Sequence, residues 1–485
     1  MDTIDFDQAV GRVPKQLFID GTWRDAQGTR VLPVEDPATG RTLCEVADAA
    51  PADGMAALDA ADAAQAAWAR RAPRDRGAVL RRAYDLMTER EDELALLVTL
   101  EMGKPLAEAR GEVRYAAGFL LWFSEEAVRV SGRYATAPDG NGRLLVSQRP
   151  VGPCVLITPW NFPLAMGTRK IGPALAAGCA VVVKPASQTP LSMLALARLL
   201  EEAGVPPGVV NVVVTSTSGA VMEPVLRDGR ARKLSFTGST EVGRMLAQQA
   251  AHQLLRLSLE LGGNAPFVVF ADADVDAAVE GALIAKMRNG GEACTAANRF
   301  YVANGVRDEF VTKFAGRIAA LRVGPGYEDG VDVGPLIDAK QRDKVAALVD
   351  DAVARGAQRL TAGAPRDGYF YAPTVLTAVP AGAALLHEEI FGPVAPIVGF
   401  DEEDEAVAAA NNTEYGLVAY VYTADLQRGL RVMEDLDVGM VGLNQGLVSN
   451  PAAPFGGIKA SGYGREGGQD GIAEYLDLKY AAVAL

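Results

Sequence analysis

CVLIT at 154–158, GTRKIGPALAAG at 167–178 and AVVVK at 180–184 place a helical stretch between two short apolar runs. The alternation continues through LSMLALARLLEEAG (191–204), VVNVVV (209–214), SGAVMEPVLR (218–227), KLSF (233–236) and EVGRMLAQQAAHQ (241–253). It predicts a parallel sheet with helices on both faces. Parallel neighbours need a helix-length crossover, and strands covered on both sides read as unbroken apolar runs. Such sheets bind nucleotides beyond the carboxyl ends of their strands. The best phosphate candidate is TGSTEVG (237–243), where Gly238 and Gly243 flank a helix start whose free N–H groups and dipole attract anions. Its Gly-x-x-x-x-Gly spacing is not the dinucleotide fingerprint, and an ordinary strand-to-helix turn reads the same way.

Outward from this block, residues 261–435 repeat the alternation in APFVVF, VDAAVEGALIAKM, RFYVAN and VRDEFVTKFAGRIAALR, which predicts a second α/β domain. On the N-terminal side LFIDGTW (17–23) looks like a hairpin, and residues 51–130 read as three helices rich in Ala, Leu, Glu and Arg. SGRYATAPDGNGRLLVSQRP (131–150) has Pro-Asp-Gly and Asn-Gly turn signals, as a protruding hairpin or a surface loop would. In the tail YLDLKYAAVAL, Leu476, Leu478 and Tyr480 share one face of a strand.

Composition narrows the chemistry. At 485 residues, 49% hydrophobic and 22% charged, the chain has the make-up of a soluble protein of two or three domains. No apolar run is long enough for a membrane span, and the acidic MDTIDFDQAV does not read as a signal peptide. A net charge of -14 argues against nucleic-acid and anionic-membrane partners. Four cysteines make no disulfide framework and no Cys/His cluster suggests a metal, so a reducing cytoplasm is expected. With only His252 and His387 present, acid/base work falls to carboxylates. Cys294 is the candidate nucleophile, because Gly290, Gly291, Glu292, Ala293 and Thr295 leave it reachable, whereas Cys44, Cys154 and Cys179 lie in or beside apolar runs. Glu260, in LELGGNAP where a strand should end, is a candidate base. An inert loop cysteine and a solvated surface carboxylate are the plainer readings of the same residues.

TPWNFPLAMGTRK, VVVKPASQTP, SFTGST, LELGGNAP, GGEACTAANR, HEEIFGPV and PFGGIKASGYGRE together, in order and over nearly the whole chain, resemble the aldehyde dehydrogenase superfamily, and within it the succinate-semialdehyde dehydrogenases. The resemblance implies a cofactor-binding domain (1–131 and 151–259), a catalytic domain (260–465) and a β oligomerisation element (132–150 and 466–485), in a homodimer or homotetramer. It makes Cys294 the nucleophile, Glu260 the general base, and the Asn161 amide with the Cys294 backbone N–H the oxyanion hole. Glu389 matches the carboxylate that holds the nicotinamide ribose, Lys184 the lysine near the adenosine ribose, and Gly238 with Ser239 the pyrophosphate turn. Pro159, Trp160, Gly243 and Phe391 complete the implied cofactor site. Arg169, Arg288 and Ser449 match the groups that hold a substrate carboxylate. The implied partner is therefore a small aldehyde with a distal carboxylate, succinate semialdehyde first, with glutarate semialdehyde or an aliphatic aldehyde as the alternative. A related chain that kept the fold and lost turnover is the non-enzymatic alternative, which intact Cys294, Glu260 and Asn161 disfavour. A glutamate at the base position favours hydrolysis to a free acid over transfer to coenzyme A. Two positions depart from relatives. Ala296 replaces a second cysteine, so no disulfide is available within that loop. Ser187 replaces a glutamate that would repel a 2′-phosphate, which makes NADP acceptable beside NAD, and favoured.

Overall fold

The computed structural model describes residues 6–361 and 367–484. An eight-stranded sheet runs in the order Thr22–Arg24, Leu17–Ile19, Val210–Val212, Val181–Lys184, Cys154–Ile157, Lys233–Thr237, Arg256–Glu260, Gly462–Tyr463. From Val210–Val212 to Arg256–Glu260 the neighbours are parallel, as the alternation predicts. Antiparallel strands close both edges, the N-terminal hairpin on one side and Gly462–Tyr463 on the other. Val181–Lys184 and Cys154–Ile157 are buried throughout, which is why they carry no polar alternation.

A seven-stranded sheet follows, ordered Gln358–Arg359, Thr374–Thr377, Val394–Phe400, Ala297–Ala303, Ala265–Val269, Val418–Tyr422, Met440–Leu443, and parallel except at its first pair. The helical region before the first sheet holds four helices rather than the three expected: Pro51–Arg70, Pro73–Glu89, Glu91–Met102 and Leu106–Glu126. Pro51 and Pro73 open the first two, where a missing N–H costs nothing. The unforeseen break falls at Arg90, a single residue between two helices with no Gly or Pro to announce it. Residues 131–150 do form a hairpin, Arg133–Thr136 with Arg143–Pro150, and Leu476–Val483 pairs along the second strand from Leu476↔Pro150 to Val483↔Arg143. No described helix is long and apolar enough to cross a membrane.

Candidate active site

The carboxyl ends of Cys154–Ile157, Lys233–Thr237 and Arg256–Glu260 face the loops that lead into the second sheet, and a cavity of about 470 Å³ lies between them. Its wall includes Asn161, Glu260, Cys294, Arg169, Arg288, Ser449, Glu389 and Phe391. The remaining seven expected residues divide around it: Pro159, Trp160, Gly238 and Ser239 are in the wall, whereas Lys184, Ser187 and Gly243 stand outside its lining.

Cys294 reaches the cavity because the chain turns sharply after the helix Val275–Met287. Asn289, Gly290 and Gly291 all have positive φ, at 56°, 60° and 79°. Asparagine tolerates that region and glycine is at ease in it. At Gly291 a side chain is also excluded by contact, since a Cβ there would lie 2.3 Å from the Gly392 carbonyl oxygen. The turn is pinned by side chains. Asn289 donates from Nδ2 to the carbonyls of Asn161 (3.0 Å) and Glu292 (2.9 Å), and its backbone N–H donates to Glu108 (2.6 Å). Asn161 Nδ2 donates to the same Glu292 carbonyl at 2.9 Å, which spends one amide hydrogen and leaves the other for a ligand. Lys104, paired with Glu112 at 2.6 Å in the interior, donates to the Asn161 carbonyl at 2.8 Å and fixes the loop from behind.

Electrostatics favour neutral forms at the centre. Burial pushes the Cys294 thiol up to about 12; Arg169 opposes this, while Glu260 and Glu389 add to it. Burial, then the neighbouring Glu466, raises Glu260 to about 8, against the pull of Arg169, Lys170 and Arg465. Its Oε2 is buried and has no hydrogen-bond partner among the described residues. Glu466 is buried too, but the charges of Arg169 and Lys170 outweigh its desolvation and hold it below the ordinary range. Arg169 and Lys170 both pair with it, and Lys170 also donates to Thr237 Oγ1 at 2.8 Å.

The wall around Pro159 and Glu389 fits a dinucleotide. Ser239 caps the helix Thr240–Ala251 by accepting from the Val242 N–H, and Gly243 lies so close to Leu261 that a Cβ would come within 2.4 Å of it. This sets the helix N-terminus at the cavity, with Gly238 and Ser239 in its wall. Glu389 accepts from the Gly263 N–H at 3.0 Å, and burial raises its pKa. Phe391, at φ 54°, sets its ring edge-on to Trp160 with centroids 5.4 Å apart. Gln341 and Lys344 donate to the carbonyls of Phe391 (2.6 Å) and Glu389 (2.7 Å), locking that corner. Lys184 is lowered to about 8 by burial alone, and Ser187 is half-buried with its hydroxyl donating to Gln188 Oε1 at 3.3 Å. Gln188 itself lines the cavity.

At the opposite end two guanidinium groups meet. Arg169 lies over the Phe455 ring at 4.2 Å and Arg288 over Phe162 at 4.7 Å, and Arg288 donates to the Ser449 hydroxyl at 3.4 Å. Arg169 is committed to Glu466 on one side, yet its Nη2 has no partner among the described residues. The sequence reading passed over Phe162 and Phe455, although both sit inside the quoted motifs. It also passed over Lys104 and Glu112, which nothing in an Ala-rich helical stretch sets apart. A thiol, an amide donor and an unpaired carboxyl oxygen around one cavity can carry out acyl chemistry at a carbonyl, with an anion held at the arginine end.

Comparison with known proteins agrees with this geometry. The profile of the Aldehyde dehydrogenase family matches residues 23–481. The chain is 58% identical over 444 residues to a succinate-semialdehyde dehydrogenase of Paenarthrobacter nicotinovorans, covering 91% of this chain and 99% of that one. It is 50% identical over 471 residues to a glutarate-semialdehyde dehydrogenase of Pseudomonas putida, covering 97% and 98%. A crystal structure of an NADP-dependent enzyme of E. coli superposes with a TM-score of 0.96 at 50% identity, over 98% of both chains. With seven motifs converging on one cavity and relatives matched from end to end, the chain belongs to the aldehyde dehydrogenase family.

Proposed function

We propose that this chain oxidises succinate semialdehyde to succinate with NADP or NAD. The observation that carries the reading is the pair Arg169 and Arg288, with Ser449, at the far end of the cavity that holds Cys294. Planar guanidinium donors suit a carboxylate, and both arginines line the cavity. In this reading the Cys294 thiol gives its proton to solvent as the sulfur bonds to the aldehyde carbon and the carbonyl π pair moves to oxygen, and the oxyanion that forms is held by the free Asn161 amide hydrogen and the Cys294 backbone N–H. One such donor is worth about 10²–10³ in rate. An oxidised nicotinamide, when bound, supplies the hydride acceptor and a positive ring charge beside a thiol that burial keeps protonated. Glu260 then takes a proton from the water that cleaves the thioester, releasing the acid and the Cys294 thiol. Glu389 holds the nicotinamide ribose, Gly238 and Ser239 the pyrophosphate, and Lys184 the adenosine ribose, with Pro159, Trp160, Gly243 and Phe391 shaping the site. The protein works in the cytoplasm as a homodimer or homotetramer.

Steady-state kinetics with succinate semialdehyde, glutarate semialdehyde and butanal, each with NAD and NADP, test the reading. The highest kcat/KM is expected for succinate semialdehyde; equal efficiency on butanal would overturn the substrate. Ser187→Glu should move cofactor preference towards NAD, because a carboxylate accepts from a 2′-hydroxyl and repels a 2′-phosphate. An unchanged cofactor ratio would remove Ser187 from the argument.

A further inference from the structure

The two arginines at the far end of the cavity are held in different ways. Arg169 is buried and pairs with Glu466. Arg288 is half-buried, has no ion-pair partner among the described residues, and makes one side-chain hydrogen bond, to Ser449 Oγ at 3.4 Å. A long side chain tethered so lightly gives up rotamer freedom when a ligand draws it into one position, and that loss weakens binding. What restrains Arg288 is an aromatic ring. Its guanidinium carbon lies over Phe162, 4.7 Å from the ring centroid, inside the range of roughly 6 Å where the negative face of a ring attracts a cation.

The ring is itself anchored. Phe162 is buried, and Lys104 Nζ lies 3.8 Å from the same centroid, held there by Glu112 at 2.6 Å and by the Asn161 carbonyl at 2.8 Å. A phenyl ring has no lone pair, so its attraction for Arg288 leaves the guanidinium N–H donors to oxygen acceptors. Phe162, Arg288 and Ser449 all line the cavity, so a carboxylate arriving at this end meets a cation already held in place.

We propose that Phe162 is a positioning residue for substrate recognition: its ring presets the Arg288 guanidinium at the cavity wall, so that the distal carboxylate of the semialdehyde binds without first ordering that side chain. The proposal rests on the substrate reading above, and the experiment separates the two. The readout is kcat/KM for succinate semialdehyde divided by kcat/KM for butanal, in the wild type, Phe162→Leu, Phe162→Tyr, Arg288→Met and the double variant Phe162→Leu/Arg288→Met. Removing the ring should lower that ratio roughly 3- to 30-fold in Phe162→Leu, mainly through KM for the semialdehyde. Phe162→Tyr keeps the ring face and should stay near the wild-type ratio. In the Arg288→Met background the loss of the ring should change the ratio no further, because the two side chains act as one unit. A fall of equal size with and without Arg288 overturns the proposal and makes Phe162 a plain wall. An unchanged ratio in Phe162→Leu also overturns it, since damage passed to the adjacent Asn161 falls on both aldehydes alike; a lowered ratio in Arg288→Met then leaves the substrate reading standing. No preference for the semialdehyde in the wild type overturns both. If Phe162→Leu does not fold, Phe162→Met fills most of the same volume without a ring and carries the same expectation.

Discussion

Cys294 and Glu260 share a cavity but depend on different protonation states, and this separates their expected phenotypes. Cys294→Ala should abolish oxidation. Glu260→Gln should still form the thioester and release one equivalent of reduced cofactor in a burst, followed by slow turnover, as stopped-flow absorbance would show. A wild-type steady-state rate in Glu260→Gln would remove it as the base. Since burial raises Glu260 to about 8, its base form grows as pH rises towards that value and shrinks below it. Hydrolysis-limited turnover should therefore climb between about pH 6 and 8, and Glu260→Gln should lose this limb. The two arginines should also behave differently. Arg288→Met should lower efficiency on succinate semialdehyde roughly 10- to 150-fold with little change in melting temperature. Arg169→Met should do the same and also destabilise the fold by about 3–5 kcal/mol, because it strips one of two cations from the buried Glu466. Equal melting temperatures for the two variants would contradict that assignment. Sequence motifs pointed to Cys294, Glu260, Asn161 and both arginines, and the structure puts all five in one wall. They could not point to Glu466 as the partner of Arg169, because a pairing across nearly 300 residues leaves no local pattern.

At the scale of elements, the site depends on where strands stop and how loops turn. The Arg256–Glu260 strand ends on the proposed base, and the Gly238 N–H donates to the Glu260 carbonyl at 3.0 Å, so the proposed phosphate turn and base share one piece of backbone. The left-handed turn at 289–291 sets the path of the proposed nucleophile, Cys294. Gly291→Ala combines an unfavourable φ with a contact of 2.3 Å to the Gly392 oxygen, so the loop must move and Cys294 with it. A shift near 1 Å can cost about 10² in rate, and kcat should fall by roughly that factor while the protein remains folded by circular dichroism. Unchanged kcat would show that the loop's path does not set the thiol. The alternation of strands and helices was legible because burial on both faces leaves unbroken apolar runs. The fourth helix was not, because the break at Arg90 is made by packing and no residue there announces it.

At the scale of the molecule, the three-stranded sheet is the part least able to stand alone. Its register sets Leu478 and Tyr480 on one face and Tyr134, Leu145 and Val483 on the other, all of them exposed. Both outer strands also present open edges, which in water invite pairing with another chain. Leu478→Glu with Tyr480→Glu should therefore shift the proposed oligomer towards monomer in sedimentation velocity; an unchanged assembly would place the interface elsewhere. The pairing of Lys170 with Glu466 spans 296 residues. Until the later segment docks, the first sheet must hold two cations without their counter-ion, which opposes its closing early. The ion cluster that tunes Glu260 thus also ties the first sheet to the C-terminal segment, and a chain truncated before Glu466 is expected to leave Arg169 and Lys170 buried without their counter-ion.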